Sequence, residues 1–398
     1  MTVTDPFFDL KYDTNWNACI GRQGDQENYA DGYIEAAIVL ATGMLEKGMY
    51  DKIDTLVLPI LYNARHSIEL TLKLVIGEFV GAGILAEGHA TNHDIASHLQ
   101  FLEKQGVADE LFRETLKLLK PYVDSLSKVD DDGQELRYHE NRDGRQSMED
   151  KALANIVVIA ESLEQLQAVL RTLKTRAYEL RSEWYTGTWT RQCSRRDLNE
   201  ITKLLPQRSE WASQAFIEAK DAIQSRYGLS NTQFSKTLNK IQETRPLAGL
   251  IGVESNLVYL TGENAEFILA QWAELHPPRE PSEMRIVRFS KDDFAKILAG
   301  HEKEAEIIAR IVETVPEDQF ADAETIYYIE RNGNYPERYE EFLELKRNEF
   351  RARGDLRQEV HDLMSKTNFR RHFLNGLAAV GIPSLSNRLH QSSSDAEL

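Results

Sequence analysis

In the stretch LYNARHSIELTLKLVIG, residues 61–77, four side chains able to do ionic or proton-transfer chemistry follow at helical spacing: Arg65, His66, Glu69 and Lys73. A helix turns about 100° per residue, so these four and Tyr62 share an arc of roughly 100°. Glu69 can bridge Arg65 and Lys73, each four positions away, and His66 one turn back can exchange a proton near neutral pH. Two readings of this face stay open. It is a ladder of ion pairs on a solvated helix, contributing only tenths of a kcal/mol per pair, or it is packed against other elements. Leu58 and Ile76 fall in the same arc, and Leu70 and Leu74 cover the far side, which favours packing.

The elements that must position this face are helices. Apolar residues recur at three- and four-residue spacing over 29–47, 56–79, 94–105, 110–127 and 148–180, with Gly or Asn/Asp signals between them. Most connections are short, which predicts an antiparallel bundle over residues 1–181. The exception is the polar insertion 129–147, where Asp143-Gly144 suits a small hairpin. The sequence EWYTGTWTRQCSRRDL then favours an extended linker or strand at 182–197, closed by a capping box of Ser194 and Asp197. A similar pattern at MRIVRFSKDDF, with 284–289 extended and Ser290 and Asp293 as cap, predicts one small β element. The remainder of 198–398 reads as a second, mostly helical domain ending in a disordered tail at 391–398. The fold class expected is therefore mainly α.

At 398 residues, with 41% hydrophobic and 28% charged positions, the chain can build two cores. No apolar run of about 18 residues predicts a membrane span, and the acidic start does not read as a signal peptide. Two cysteines, Cys19 and Cys193, are too few for a disulfide framework and fit a cytoplasmic location. The net charge of −17 opposes non-specific attraction to nucleic acid. Any such contact must be local, and the best stretch is 346–371, where eight cations outnumber four acids; Arg351, Arg353 and Arg357 are its candidate contacts to a partner or nucleic acid. The competing reading is a solvated face balancing the acidic stretch 302–344.

The helix LYNARHSIELTLKLVI, followed by TNHDIASHL and then LRYHENRDGRQ, resembles HEPN-type bacterial proteins, over about residues 29–180. That resemblance implies a small helical bundle, often dimeric, and for many members a metal-independent ribonuclease of toxin, CRISPR or phage-defence systems. It implies catalytic roles for Arg65, His66, Glu69 and His93, with Lys73, Arg137 and Tyr138 binding substrate. Arginine would hold phosphate, a histidine would move the proton and Glu69 would orient them. The chain departs from the usual family motif, since none of its ten histidines has an arginine five to seven positions before it. The alternative is a non-catalytic scaffold or sensor binding a protein partner or nucleotide. Expected partners are a second copy of the chain and a protein of a defence system, with RNA or a nucleotide as ligand and no membrane.

Other chemistry finds little support. His89, His93 and His98 lack an acidic or cysteine ligand at metal-site spacing, and no metal or cofactor is expected. VDDDGQELRYHE fails as a calcium loop, because aligning Gly133 puts Lys128 first and His139 where a glutamate is required. Phosphate-loop, dinucleotide and nucleophile-elbow motifs do not occur. Trp184, Tyr185 and Trp189 near Arg191, Arg195 and Arg196 read either as base-stacking groups or as core, and FRRHFLNGLAAVGIPSLSNRL either as a docking helix or a partner contact.

Overall fold

A computed structural model describes residues 5, 7–12, 14–21, 24–140, 147, 153–277 and 291–394. The chain is mainly α and divides into two compact units, Met1–Tyr185 and Thr186–Leu398.

Unit 1 contains α1 (Gln26–Glu46), α2 (Ile53–Gly81), α3 (Ile95–Gln105), α4 (Glu110–Ser127) and α5 (Ile156–Trp184). Side-chain caps start four of them: Asp25, Asp94, Asp109 and Asn155 each accept backbone N–H groups of the first turn, worth about 1 kcal/mol apiece. The central element is α2, which packs on α1, α3, α4 and α5. It buries Ile60, Ile68, Leu72, Val75 and Phe79 on its apolar stripe, and it also buries Arg65, Ser67, Glu69 and Thr71. Arg65 and Glu69 of the charged arc are thus interior, with Tyr62, His66 and Lys73 half-buried at its edge, and the solvated-ladder reading of it falls. Glu27 meets Tyr178 and Asp31 meets Lys174, so α1 runs antiparallel to α5. A second buried charge group, Arg176 with Asp109 at 2.8 Å and Glu183 at 2.8 Å, ties α5 to the start of α4. The predicted helix at 148–180 begins later, at Ile156, because the Asn155 side chain caps Val157 and Val158. Asp143-Gly144 lies outside the described residues.

Unit 2 contains α6 (Arg195–Leu204), α7 (Gln214–Tyr227), α8 (Asn231–Glu243), α9 (Arg245–Leu250), α10 (Gly262–Leu275), α11 (Lys291–Thr314), α12 (Glu317–Arg331), α13 (Tyr339–Arg353), α14 (Leu356–Met364), α15 (Phe369–Ala379) and α16 (Pro383–Ser394). The Ser194/Asp197 capping box opens α6, with both reciprocal bonds formed. One core gathers Leu198, Ile223, Phe234 and Ile241, and a larger one gathers Ile268, Ile311, Phe320, Tyr327 and Phe373. Helices α12 and α15 approach closely at Gly376, where an added Cβ would stand 2.4 Å from the Ile326 carbonyl oxygen. Asp322, fully buried, accepts Tyr339 Oη at 2.6 Å and the N–H groups of Tyr259 and Leu260, both at 2.9 Å, pinning the segment before α10. Burial raises its pKa.

Two expectations change, and a third is untested. Residues 185–193 form no strand; α5 continues to Trp184 and a turn and irregular chain follow. The second extended segment, 284–289, and Ser290 lie outside the described residues, and among those described the small β element is not found. The tail is helical as far as Ser394, where disorder was expected from 391. Phe369, Phe373, Leu374 and Leu377 are fully buried, so the FRRHFLNGLAAVG segment is a core helix.

Candidate functional site

The polar arc of α2 meets two loops inside unit 1. Arg65 is 1% exposed. Its Nε donates to Asp130 O at 2.9 Å, Nη1 to Glu69 Oε2 at 3.2 Å, and Nη2 to His93 O at 2.6 Å and Asp131 O at 3.1 Å. Asp130 Oδ2 adds a second counter-charge 3.6 Å from Nε. Four of its five N–H groups are therefore occupied by protein acceptors. Arg65 brackets the segment before α3 and the loop after α4.

Glu69, 2% exposed, divides its oxygens. Oε2 takes the buried arginine and stands 3.7 Å from His66 Nδ1; Oε1 accepts Lys73 Nζ at 2.7 Å and His93 Nδ1 at 2.8 Å. Burial pushes the carboxyl pKa upward, but the contacts from His66, Lys73 and His93 outweigh it and hold the group well below the usual carboxylate range. It is a fixed anion. His93 is 60% exposed and Lys73 33%, so both reach water while anchored to that anion. His93 Nδ1 faces the carboxylate, which leaves Nε2 outside this contact.

His66 is held by rings. Tyr33 of α1 meets it edge-on at 4.5 Å and Tyr62 stacks on it at 5.6 Å. Burial raises the Tyr62 pKa, and the nearby Arg137 opposes this. The Arg137 guanidinium carbon lies 5.7 Å from the Tyr62 ring centre and 5.4 Å from that of Tyr138. Only the Nε of Arg137 has a protein acceptor among the described residues, the carbonyl of Gly133. Gly133 has φ +80°, and a Cβ there would lie 3.2 Å from Arg65 Nη1, so glycine lets this loop close over the arginine.

The candidate residues Arg65, His66, Glu69, Lys73, His93, Arg137 and Tyr138 thus lie in one connected set. Sequence reasoning missed Tyr33 and Asp130 as members. Tyr62, four residues before His66, carried a usable signal in its spacing; Asp130, 65 residues from Arg65, carried none.

The other candidates stand apart. His89 stacks on Phe101 at 4.7 Å and meets His98 edge-on at 5.0 Å; the buried His98 has its Nε2 3.2 Å from Asn92 O, while His93 pairs with Glu69 instead. Burial lowers the His98 pKa. Among the described residues no three His, Cys, Asp or Glu side chains are placed to hold a metal ion. In unit 2, Arg353 pairs with Glu359 at 2.6 Å, while among the described residues Arg351 and Arg357 make only 3.4 Å contacts, to Asn348 and to Ala305 O. Arg347 and Lys346 are also paired, so 346–371 is no continuous patch of unpaired cations. Arg195 pairs with Glu337 at 2.6 Å. No described helix is long and apolar enough to cross a membrane. Comparison with protein-family models, curated proteins and solved structures gave no match in any of the three.

Proposed function

We propose that unit 1 carries a metal-independent acid–base site for cleaving RNA, in a HEPN-like bundle. The observation that carries this reading is His93: its Nδ1 is fixed 2.8 Å from a buried carboxylate while its ring reaches water, with Lys73 on the same oxygen. Such a set suits a phosphodiester beside a 2′-hydroxyl, which supplies its own nucleophile and needs only a base and cations. His93 Nε2 takes the 2′-hydroxyl proton, the 2′-oxygen bonds to phosphorus, and the P–O5′ bond breaks as the 5′-oxygen takes a proton from solvent. Lys73 and Arg137 offset the charge gathering on the phosphate oxygens. In this mechanism Arg65 and Glu69 position and do not touch substrate, and His66 supports the ring contacts.

The resemblance alone extends the reading to a bacterial toxin or anti-phage defence component, acting as a homodimer or higher oligomer. In it residues 198–398, with Arg351, Arg353 and Arg357, receive an activating partner or ligand. A non-catalytic sensor is the second reading, favoured by the near-complete pairing of Arg65. Labelled RNA incubated with the purified protein, with and without EDTA, separates them. Cleavage that survives EDTA and falls about 10²–10⁴-fold in His93→Ala supports the enzyme; binding without cleavage supports the sensor.

A further inference from the structure

Five planar groups follow one another in unit 1. Tyr33 touches the His66 ring, with planes at 83°; His66 lies on Tyr62 with planes only 11° apart; Tyr62 faces the Arg137 guanidinium, and Arg137 faces Tyr138. The inner members sit on helices, Tyr33 on α1 and Tyr62 and His66 on α2, where all three are half-buried. Arg137 is anchored through Gly133, whose loop Arg65 holds by two carbonyls. The last member, Tyr138, is 55% exposed.

An isolated surface tyrosine implies nothing. A ring whose guanidinium neighbour lies on the Tyr62 ring and is anchored to a loop held by a buried arginine has its orientation biased in advance, so adding one more plane costs less ordering entropy. A flat π-system that also carries a negative group suits this end best. The ring offers a face, and the Nη groups of Arg137 beside it have no protein acceptor among the described residues.

We propose that Tyr138, backed by Arg137, Tyr62 and His66, is a stacking platform for an unpaired nucleobase whose phosphate lies on Arg137 and Lys73. A base inside a duplex has both faces covered by its neighbours and cannot use the platform; a base in a single strand, a loop or a free nucleotide can. The placement of the attached phosphodiester near His93 rests on the function proposed above, while the platform itself does not.

The test is competition binding to full-length His93→Ala protein in EDTA, so that probes are not consumed. The probes are a dodecaribonucleotide, its perfect duplex, an abasic strand of equal length, adenosine 5′-monophosphate and ribose 5-phosphate. The single strand is expected to bind on the order of tenfold more tightly than the duplex or the abasic strand, the usual effect of one aromatic–base stack. Adding Tyr138→Leu should erase that preference without changing abasic-strand affinity, and Tyr138→Phe should keep it; circular dichroism checks that each variant is folded. If the monophosphate shows the same preference over ribose 5-phosphate, the natural ligand includes free nucleotides; if only the strand does, it is RNA. Equal binding of normal and abasic strands, a preference that survives Tyr138→Leu, or no binding by any probe overturns the proposal. Wild-type cleavage of RNA without base preference would leave the catalytic reading standing and remove the platform. Base preference without cleavage does the reverse.

Discussion

Replacing Glu69 with alanine removes the acceptor of Arg65, Lys73 and His93 in one step. Lys73 and His93 reach water and can be resolvated, so each loss is worth tenths of a kcal/mol. Arg65 cannot. Removing one partner of a buried ion pair costs about 3–5 kcal/mol, and two features place this case at the lower end. Three carbonyls still hold the guanidinium, and the Asp130 carboxylate remains 3.6 Å from Nε. A loss of about 3 kcal/mol corresponds to a melting temperature lowered by roughly 6–12 °C in a unit of this size. Thermal unfolding of the full chain, with hydrogen exchange on peptides of α2 to assign the transition to unit 1, measures it. Arg65→Met should cost more than Glu69→Ala, because it leaves the Asp130, Asp131 and His93 carbonyls without their donor. A melting temperature unchanged within about 1 °C, or the opposite ranking of the two variants, would refute the argument.

In unit 2, burial pushes the Glu324 carboxyl up to about 7, with Lys346 at 3.3 Å opposing and Glu359 and Glu349 reinforcing the rise. The folded chain keeps this proton between the ordinary value of 4.5 and about 7 while the unfolded chain loses it, so stability should fall by about 3 kcal/mol as pH rises through that window; urea midpoints of Glu324→Gln should lack that slope. If Lys73 and Arg137 together neutralise a single phosphate, the logarithm of single-strand affinity should fall against the logarithm of salt concentration with a slope of about −0.7, and a slope several times steeper would show other cations at work. Gly376→Ala drives a methyl against the Ile326 carbonyl and should destabilise the chain by about 1–3 kcal/mol in a chemical melt.

Periodicity was enough to place Arg65, Glu69 and Lys73 on one face of a helix, and the apolar neighbours of that face indicated packing. It could not say what the face packs against, since Asp130 and His93 come from segments 65 and 28 residues further along. Caps marked helix starts wherever the chain is otherwise polar, as at Ser194 and Asp197. At Asn155 the apolar spacing runs on through ALANIVVIA, and the true start of α5 was hidden. Thr and aromatic residues at 185–193 suggested a strand, but a strand needs a neighbouring edge and no described segment supplies one. The buried Arg176 and Asp109 pair left no local trace, and Lys346 and Arg347 looked available because their acidic partners Glu324 and Asp318 lie on another helix.

A buried arginine and glutamate are a poor way to stabilise a core, since desolvation costs several kcal/mol per ion and apolar residues of similar volume often do as well. The way Glu69 divides its two oxygens gives another reason for such a pair. One oxygen holds Arg65, and through it the backbone of two loops; the other holds Lys73 and His93, the groups that reach water. Rotating the carboxylate to release the outer pair would break the inner one, so the inner bonds fix the direction in which the outer oxygen points. In the proposed site, the position of the His93 ring is therefore set by the folding of the 130–137 loop around Arg65. A change at Gly133 that opens that loop would disturb His93 without touching it.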